Sequence, residues 1–549
     1  MLNTFVLLCA VTAGAGFWPS CRGGAAAVTA LPNPGDEDRP PGSPPELPRL
    51  SVELPTASPN TPTRILSQGD DLQDALDNAK PGDLIALQPG AIFRGPITLP
   101  KKNDDGWITI RTNLGDGAFV APGTRVAPSD ARLMPVIESD SDFAITTDAG
   151  AHHYRFIGIE VRPPSGVFVR NLITLGADTN SFDALPHHIV FERCYVHGDP
   201  KVGGRRGIAL NSRHTAIIDS YISDFKETGN DSQALAGWNG AGPFAILNNY
   251  LEAAGENLMF GGADPEVNNL VPSDIEIRGN VFAKPLGWKK GSASYAGTSW
   301  SVKNLFELKN ARRVLIDGNV FENNWLDAQN GFAILFTPRN QDGGAPWSMV
   351  RDVTFTRNTV RHTGSGVNIL GTDDLRPSEQ TKRITIRDNV FEDVDGATWG
   401  GSGRLFQILD GAADVVIEHN TAFHTGDVVS GEGDPNPGFV YRNNLTPHNQ
   451  YGVGGSNTYG NPQQALATYF PGAVFVKNVM IGGRAQDYPP DNFFPATAAD
   501  VGFVDLAGGN YHLAANSPYK AAATDGKDIG ADIDGAEAPR GRRRIVGKH

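Results

Sequence analysis

Short stretches of alternating apolar and polar residues recur along most of this chain, and many of them end at an asparagine. Typical examples are Ile277-Arg-Gly-Asn280-Val-Phe and Ile316-Asp-Gly-Asn319-Val-Phe. Successive members of the frame lie about 24 to 39 residues apart, an interval typical of solenoid repeats. Its asparagines are Asn249, Asn280, Asn319, Asn358, Asn389, Asn420, Asn444 and Asn478. Because strict alternation indicates half-buried strands, the pattern predicts one strand on each side of a repeated asparagine bend.

The asparagine column has a physical reason. At a tight bend between two strands, an inward-facing amide can bond the next asparagine and the backbone of its own turn. Stacked amides then form a row of hydrogen bonds like those of cross-β stacks. Cys194 and Ser220 occupy the same frame upstream, so we expect Cys194 to be a buried thiol rather than a nucleophile.

A second strand motif falls between the asparagine bends. It is represented by Arg206-Gly-Ile-Ala-Leu, Asn304-Leu-Phe-Glu-Leu and Arg404-Leu-Phe-Gln-Ile-Leu. Each coil therefore has at least two strands, and we expect three. Differences in coil length fall in loops such as residues 287–302 and 338–349, which are expected to flank the second motif.

The whole pattern predicts an all-β protein, a right-handed parallel β-helix solenoid of about ten or more coils over residues 64–535. A solenoid must cover its terminal coils, since these expose apolar core and unpaired strand edges. The amphipathic stretch from Asp71 to Ala79 predicts an N-terminal capping helix. With 64 glycines and 20% charged residues among 549, the composition is typical of a turn-rich β protein.

The two ends of the chain differ from this pattern. Residues 1–30 are largely apolar and end in small residues, which predicts a signal peptide and a secreted or cell-surface protein. A cysteine at position 21 leaves lipidation open. Residues 31–63 are rich in proline and are expected to form an extended, disordered tether. Residues 536–549 form a basic tail that is expected to be unstructured, and no later segment is apolar enough to cross a membrane.

The charge balance narrows the range of partners. A formal net charge of −14 argues against nucleic acid, because phosphate binding needs a basic surface. We expect a monomer.

The coils and the capped ends together resemble the pectate-lyase-like superfamily of right-handed parallel β-helix proteins, over roughly residues 64–534. The resemblance is specific for the fold and weak for the activity. It implies that the partner is an extracellular polysaccharide and that this substrate lies along the flank formed by the second motif. By alternation, the outward positions of that motif are Thr174, Ala209, Met259, Glu307, Ala333, Asn368 and Gln407.

The resemblance and the clustered charges suggest two reactions. In β-elimination on a uronate, Lys309 or Arg339 would remove the proton next to the carboxylate, with Glu307 beside them. Glu256 and Asp264 are candidate ligands for Ca²⁺, which takes oxygen ligands; no cofactor is otherwise indicated. In glycoside hydrolysis, Glu307 would act with a carboxylate from the adjacent coil, about 5 Å away by strand spacing.

Two non-catalytic interpretations stay open. Glu307 and Lys309 on an exposed strand are equally consistent with a solvated ion pair. The chain is also consistent with a surface adhesin or glycan-binding protein, since solenoids of this shape serve both roles.

Other side chains are candidates for contacts with the glycan. Flat aromatic rings suit sugar faces, and polar groups near the flank can bond hydroxyls. The expected substrate-binding residues are Asn330, Asn368, Gln407, Trp300, Trp325 and Trp347. The pairs His152-His153 and His187-His188 suggest a metal site, but neighbours on a strand point to opposite faces, so we expect ordinary turn residues.

Overall fold

A computed structural model describes residues 39–55, 61–115, 117–176 and 179–534. The expected signal peptide and the basic tail lie outside the described residues. Within the described residues, none of the helices is long and apolar enough to cross a membrane.

Three long parallel sheets make up the molecule. Sheet 1 contains 14 strands: Arg64–Leu66, Leu84–Leu87, Ile108–Thr112, His152–Ile157, His187–Glu192, Arg213–Ile218, Phe244–Leu247, Ser273–Arg278, Ala311–Asp317, Val350–Thr356, Lys382–Arg387, Ala413–Glu418, Val440–Arg442 and Val474–Val476. Sheet 2 contains 13 strands: Ile92–Arg94, Val136–Glu138, Glu160–Arg162, Tyr195–His197, Tyr221–Phe225, Tyr250–Ala253, Val281–Ala283, Val320–Asn324, Thr359–Thr363, Val390–Val394, Thr421–His424, Leu445–Pro447 and Val479–Ile481. Sheet 3 contains 12 strands: Ile97–Leu99, Ile145–Thr147, Asn171–Leu175, Arg206–Leu210, Gln233–Gly237, Glu256–Phe260, Phe306–Leu308, Phe332–Phe336, Ser365–Leu370, Phe406–Leu409, Val429–Glu432 and Val453–Gly455.

Each coil contributes one strand to each sheet, in the order sheet 1, sheet 2, sheet 3. The asparagine bend joins sheets 1 and 2, and the second motif forms sheet 3. Inward side chains of all three sheets meet in one continuous core, where like residues stack from coil to coil; the rings of Phe282 and Phe321 are parallel at 4.4 Å. The predicted right-handed parallel β-helix of ten or more coils is confirmed.

Side-chain hydrogen bonds run along the asparagine bend. Nδ2 of Asn358 donates to Oδ1 of Asn389 at 3.0 Å, and the same oxygen accepts the backbone N–H of Asn358 at 2.8 Å. The pattern repeats between neighbouring coils from Asn249 to Asn478. Upstream, the backbone N–H of Cys194 donates to Oγ of Ser220. Cys194 is fully buried, and burial raises the pKa of its thiol to about 12.

The ends and the bends also carry short helices. The α-helices are Leu72–Asn78, Gly396–Trp399 and Pro462–Tyr469; the 3-10 helices are Pro128–Leu133, Phe182–Ala184, Leu286–Trp288, Ala485–Asp487 and Ala498–Val501. Asp71 caps the first helix, whose Leu72, Ala75 and Leu76 are buried in the core. At the other end, Phe503–Asp505 and Asn510–Leu513 pair antiparallel and contribute to a second, smaller core.

Residues with a left-handed backbone conformation form a column in sheet 1, because they recur at the same position near the start of successive strands. His153, His188 and His214 have φ of 61°, 53° and 48°, and Asp274 and Arg313 continue the column. A left-handed residue inside a strand interrupts the alternation of side chains. The side chains of His152 and His153 therefore lie on the same side, with their Nδ1 atoms 2.8 Å apart. The expectation that these neighbours point to opposite faces is wrong.

Part of the proline-rich segment lies against this column. The Asp352 carboxylate accepts the backbone N–H of Glu46 and pairs with Arg39, and the Asp274 carboxylate accepts the backbone N–H of Arg49. Val52 is buried in a small apolar cluster on sheet 1. The expected free tether is therefore wrong for residues 39–54, because acidic side chains of the column bind the extended backbone.

Candidate functional site

The outward face of sheet 3 presents one row of side chains in strict register. Across successive coils the row reads Thr174, Ala209, Ala236, Met259, Glu307, Leu335, Asn368, Gln407 and Ser430. Leu335, rather than the expected Ala333, lies opposite Glu307, and Ala333 is wholly buried. The neighbours of Glu307 in the row are thus Met259 and Leu335. For this strand, the alternation pattern predicted the correct face, but it placed the outward residue at Ala333, two residues before Leu335.

Glu307 and Lys309 form an ion pair on this face, with 3.5 Å between Oε1 and Nζ. Thr337 donates its hydroxyl to the Glu307 carboxylate, and Nδ2 of Asn304 donates to it as well, each at 3.2 Å. Glu307 is only 2% exposed, whereas the Lys309 side chain keeps 16%. The pair is therefore held and largely desolvated, unlike a solvated pair on an open strand.

Two glycines lie beneath Lys309. A Cβ at Gly261 would meet the Lys309 side chain at 2.8 Å, and a Cβ at Gly262 would meet the end of Met259 at 2.6 Å. Both glycines have positive φ, 94° and 86°, which disfavours any other residue. The two glycines thus allow the backbone to pass close to Lys309 and Met259.

Arg339 lies one coil further along, beside Lys309. Its backbone N–H donates to the carbonyl oxygen of Lys309 at 2.9 Å. Its guanidinium pairs with Asp373 and Asp374, and Asp373 also accepts the backbone N–H of Asn340 at 2.8 Å. The backbones of Lys309 and Arg339 therefore meet at the C-terminal edge of sheet 3, and two carboxylates hold the Arg339 guanidinium.

A second charged cluster lies at the N-terminal edge of the same strands. Nε2 of Gln233 donates to Glu256 at 2.7 Å, and Nζ of Lys303 lies 2.5 Å from Asp231 and 3.6 Å from Glu256. Glu256 is fully buried, and this burial, together with Asp231 and Glu307, raises its pKa. Burial opposes the charge on Lys303, but Glu256 and Asp231 outweigh it and raise the pKa of the lysine.

Oxygen atoms without donors lie in this region. Oε1 of Gln233, Oε1 of Glu256 and Oδ1 of Asn304 are buried and accept no hydrogen bond from the described residues, and the Lys303 ammonium lies 3.6 Å from Oε1 of Glu256. Buried acceptors are normally hydrogen-bonded, and oxygen atoms of this kind are the ligands that a hard cation prefers. Asp264 belongs elsewhere: it follows the end of the strand that Glu256 begins, and it accepts the backbone N–H groups of Asp342 and Gly344. The expected pairing of Glu256 with Asp264 therefore does not fit the structure.

Arg206 extends the cluster toward earlier coils. It lies opposite Gln233 in the register, donates to Asn171 at 3.2 Å, and stacks on Trp238 with 5.2 Å to the ring centroid. Burial and the neighbouring Arg205 lower its pKa to about 10. The sheet therefore offers basic groups on both sides of the two glutamates.

Polar side chains continue the row toward later coils. Nε2 of Gln407 donates to Asn368 at 3.1 Å, and Arg404 donates to Gln407 at 2.9 Å. Both amides are half-buried on the floor of the sheet. Asn330 is exposed in the connection before sheet 3 and lies off the floor.

The tryptophans differ from the expectation of open stacking surfaces. Trp300 and Trp325 are 9% and 4% exposed and pack with Trp288 in one apolar cluster. Lys226 lies over the rings of Trp288 and Trp300 at 5.1 and 5.5 Å. These rings anchor the loop of residues 284–305 to the solenoid, so they are not free to stack on a sugar. Trp347 is half-buried and donates Nε1–H to the carbonyl oxygen of Leu270, joining two loops on the opposite side of the sheet.

Sequence reasoning missed Arg206, Asp231, Gln233 and Lys303. Each lies at the start of a sheet 3 strand or just before it. The signal was the recurrence of charged or amide residues at that position, as in Arg206, Asn304 and Arg404.

No protein-family profile matches the chain, and no curated protein matches it. Among solved structures, the alginate lyase AlyGC of family PL6 has a TM-score of 0.50 and 16% identity, covering 85% of this chain and 58% of that one. A mannuronic-acid-specific family 6 lyase from human gut microbiota has a TM-score of 0.47 and 12% identity, and the match covers 78% of this chain and 91% of that one. Pectate lyase Pel9A has a TM-score of 0.32 and 15% identity, and the match covers 86% of this chain and 96% of that one. This chain thus spans less than two thirds of AlyGC. These identities show the fold alone, and the parallel β-helix fold is confirmed.

Proposed function

We propose that this protein is a polysaccharide lyase that cleaves uronate-containing glycans by β-elimination on the face of sheet 3. The observation that carries the proposal is the position of Lys309, paired with Glu307 on the sheet 3 face and bonded through its backbone to Arg339 of the adjacent coil. Solved structures with a similar fold include an alginate lyase, which supports the same substrate class. We also propose that the protein acts outside the cell, as the apolar N-terminal stretch suggests.

In the proposed reaction, Lys309 removes the proton at C5 of the uronate ring. The C4–O bond to the leaving sugar then breaks, a double bond forms between C4 and C5, and the leaving oxygen takes up a proton. A lysine acts as a base only in its neutral form. Arg339 is positioned to hold the uronate carboxylate, and Glu307 orients the Lys309 side chain.

A calcium ion fits the carboxylates better than a transition metal does. Gln233, Glu256 and Asn304 supply the unpaired oxygens, and Glu307 lies within reach of Asn304. When bound there, the ion would neutralise the charge of the uronate carboxylate. Hydrogen-bonding and ion-pair contacts of the protein would still set the position of Lys309.

A second candidate is hydrolysis by paired carboxylates. The observation that favours it is the burial of Glu256, which raises its pKa and suits a general acid, close to Glu307. The two reactions leave different products, because elimination creates an unsaturated chain end and hydrolysis creates a reducing end alone.

The test is a screen of the purified protein on alginate, pectate and a neutral glucan. A rise in ultraviolet absorbance from unsaturated ends on a uronate polymer is the expected result. Lys309→Ala should abolish it, and Lys80→Ala, an exposed lysine near the N-terminal cap, should not. New reducing ends without absorbance would establish hydrolysis instead. Tight binding with no cleavage of any polymer would establish a glycan-binding protein.

The location is tested separately. Mass measurement of exported protein should place the mature N-terminus near Ala30. Intact Met1 on exported, folded protein would contradict the signal peptide.

A further inference from the structure

Five histidines from three consecutive coils gather on sheet 1, away from the sheet 3 face. The register places His152 against His187, and His187 against Arg213. The rings of His152 and His187 stack at 4.9 Å; His153, His188 and His214 form a parallel stack at 4.5 Å per step. The left-handed backbone at three of them brings both stacks to the same side.

The ring nitrogens of the two stacks face each other. Nδ1 of His187 lies 2.7 Å from Nδ1 of His188, as Nδ1 of His152 lies 2.8 Å from that of His153. One ligand atom from each of His153, His187 and His188 falls within 4.8 Å of the other two. Three imidazole nitrogens at this separation can converge on one ion.

The surroundings fix the tautomer of His152. Its Nε2 lies 3.1 Å from the carbonyl oxygen of Lys102. A carbonyl only accepts, so Nε2 carries the proton, and the lone pair of Nδ1 accepts the hydrogen bond from Nδ1 of His153 until an ion displaces that proton. Metal-binding histidines commonly donate their second N–H to a backbone carbonyl in this way. Asp105 adds a carboxylate 4.0 Å from Nδ1 of both His152 and His153.

One further observation supports a ligand here. Nδ1 of His214, the next ring of the stack, is buried and has no hydrogen-bond partner among the described residues.

We propose that His153, His187 and His188 bind one divalent transition-metal ion, with His152 and Asp105 at its edge. Imidazole ligands favour Zn²⁺, Ni²⁺ or Cu²⁺, whereas Ca²⁺ and Mg²⁺ require oxygen ligands. Because the ligands come from adjacent coils, the ion cross-links the early coils of the solenoid. It stabilises the folded state by binding only there.

The experiment uses the full-length protein without an affinity tag, stripped with a chelator and dialysed. Zn²⁺ is titrated by calorimetry, and Co²⁺ is followed by its visible absorption bands. We expect one Zn²⁺ per chain, a rise in Tm with Zn²⁺, and cobalt bands of a nitrogen-rich site. His188→Gln should weaken Zn²⁺ binding at least about tenfold. The controls His362→Gln, on sheet 2, and Glu256→Gln, on sheet 3, should bind Zn²⁺ like the parent.

Several results would overturn the proposal. One such result is folded parent protein that takes up no Zn²⁺, and another is His188→Gln that binds Zn²⁺ as tightly as the parent. Either result would show that the histidine rings stack for structural reasons alone. Loss of binding in Glu256→Gln would move the site to sheet 3. Displacement of Zn²⁺ by equimolar Ca²⁺ would contradict the imidazole ligand set. If His188→Gln does not fold, His153→Gln removes another of the three proposed ligands and serves as the test. The cobalt spectrum of the parent protein then shows independently whether nitrogen ligands bind the ion.

Discussion

Nδ2 of Asn280 donates to Oδ1 of Asn319 at 2.9 Å, and the same oxygen accepts the backbone N–H of Asn280 at 2.9 Å. Asn319 in turn donates to the carbonyl oxygen of Ile277, also at 2.9 Å. One side chain thus satisfies buried groups of two coils. Leaving such groups unpaired costs about 1–3 kcal/mol.

Asn319→Ala should therefore destabilise the central coils by about 1–3 kcal/mol. Amide hydrogen exchange is the suitable measurement, because long repeat proteins unfold locally as well as globally. Faster exchange should be confined to the strands next to position 319. Asn330→Ala, at an exposed asparagine outside the column, is the matched control. Exchange that is equal in both variants would show that the bond contributes nothing.

The Glu307–Lys309 pair carries the activity prediction. Lys309→Ala and Glu307→Gln should each reduce cleavage at least about a hundredfold, since each removes part of the acid–base apparatus. Circular dichroism should show an unchanged fold. Parent-like activity in both variants would place the reaction elsewhere.

The fold could be predicted from the sequence because one bend repeats with the same chemistry. Each asparagine of the column is hydrogen-bonded to the asparagine of the next coil. A motif that repeats along the chain therefore corresponds to a structural unit that repeats along the solenoid axis. The faces of the strands followed from alternation, which holds wherever the backbone stays extended. It failed at His153 and His188, where left-handed residues turn neighbouring side chains to one side.

The candidate site was less predictable than the fold, because the conformations of the loops and the register of the strands determine which side chains lie together there. Lys309, Glu307 and Arg339 could be proposed from their places in the repeat. Nothing in the sequence indicated that Trp300 and Trp325 pack on each other, since loop conformation depends on distant contacts. Proline content indicated an extended N-terminal segment, but not the carboxylates of Asp274 and Asp352 that bind it.

Lys284 offers a stability test inside the solenoid. Its Nζ donates to the carbonyl oxygens of Ala253, Ala254 and Gly255 and to Oδ1 of Asn257, at 2.7–3.0 Å. The residue is wholly buried, and burial lowers its pKa to about 7. Lys284→Met leaves these acceptors without a donor and should destabilise the protein by about 3 kcal/mol or more. The free energy of unfolding in urea measures the effect, with exposed Lys290→Met as control; equal midpoints would contradict it.

His424 gives a prediction about pH. The ring is buried, and Nδ2 of Asn449 donates to its Nδ1 at 3.2 Å, which requires that nitrogen to be unprotonated. Burial lowers the pKa of His424 to about 4, below the value of about 6.5 for an unfolded chain. Between these values the unfolded chain binds a proton and the folded protein does not. Stability therefore rises with pH across this window and is lost as the pH falls from 6.5 toward 4.

The expected slope from this one group is at most about 1.4 kcal/mol per pH unit. His424→Gln keeps an acceptor for Asn449 and cannot titrate, so its stability should depend less steeply on pH between 4.5 and 6.5. His512→Gln, at a partly exposed histidine on the surface, is the control and should keep the slope of the parent protein. Urea unfolding at intervals across the window measures all three proteins. Because His187 and His188 titrate in the same direction, some slope should persist in His424→Gln. A slope identical to that of the parent would mean that His424 takes up its proton in the folded state.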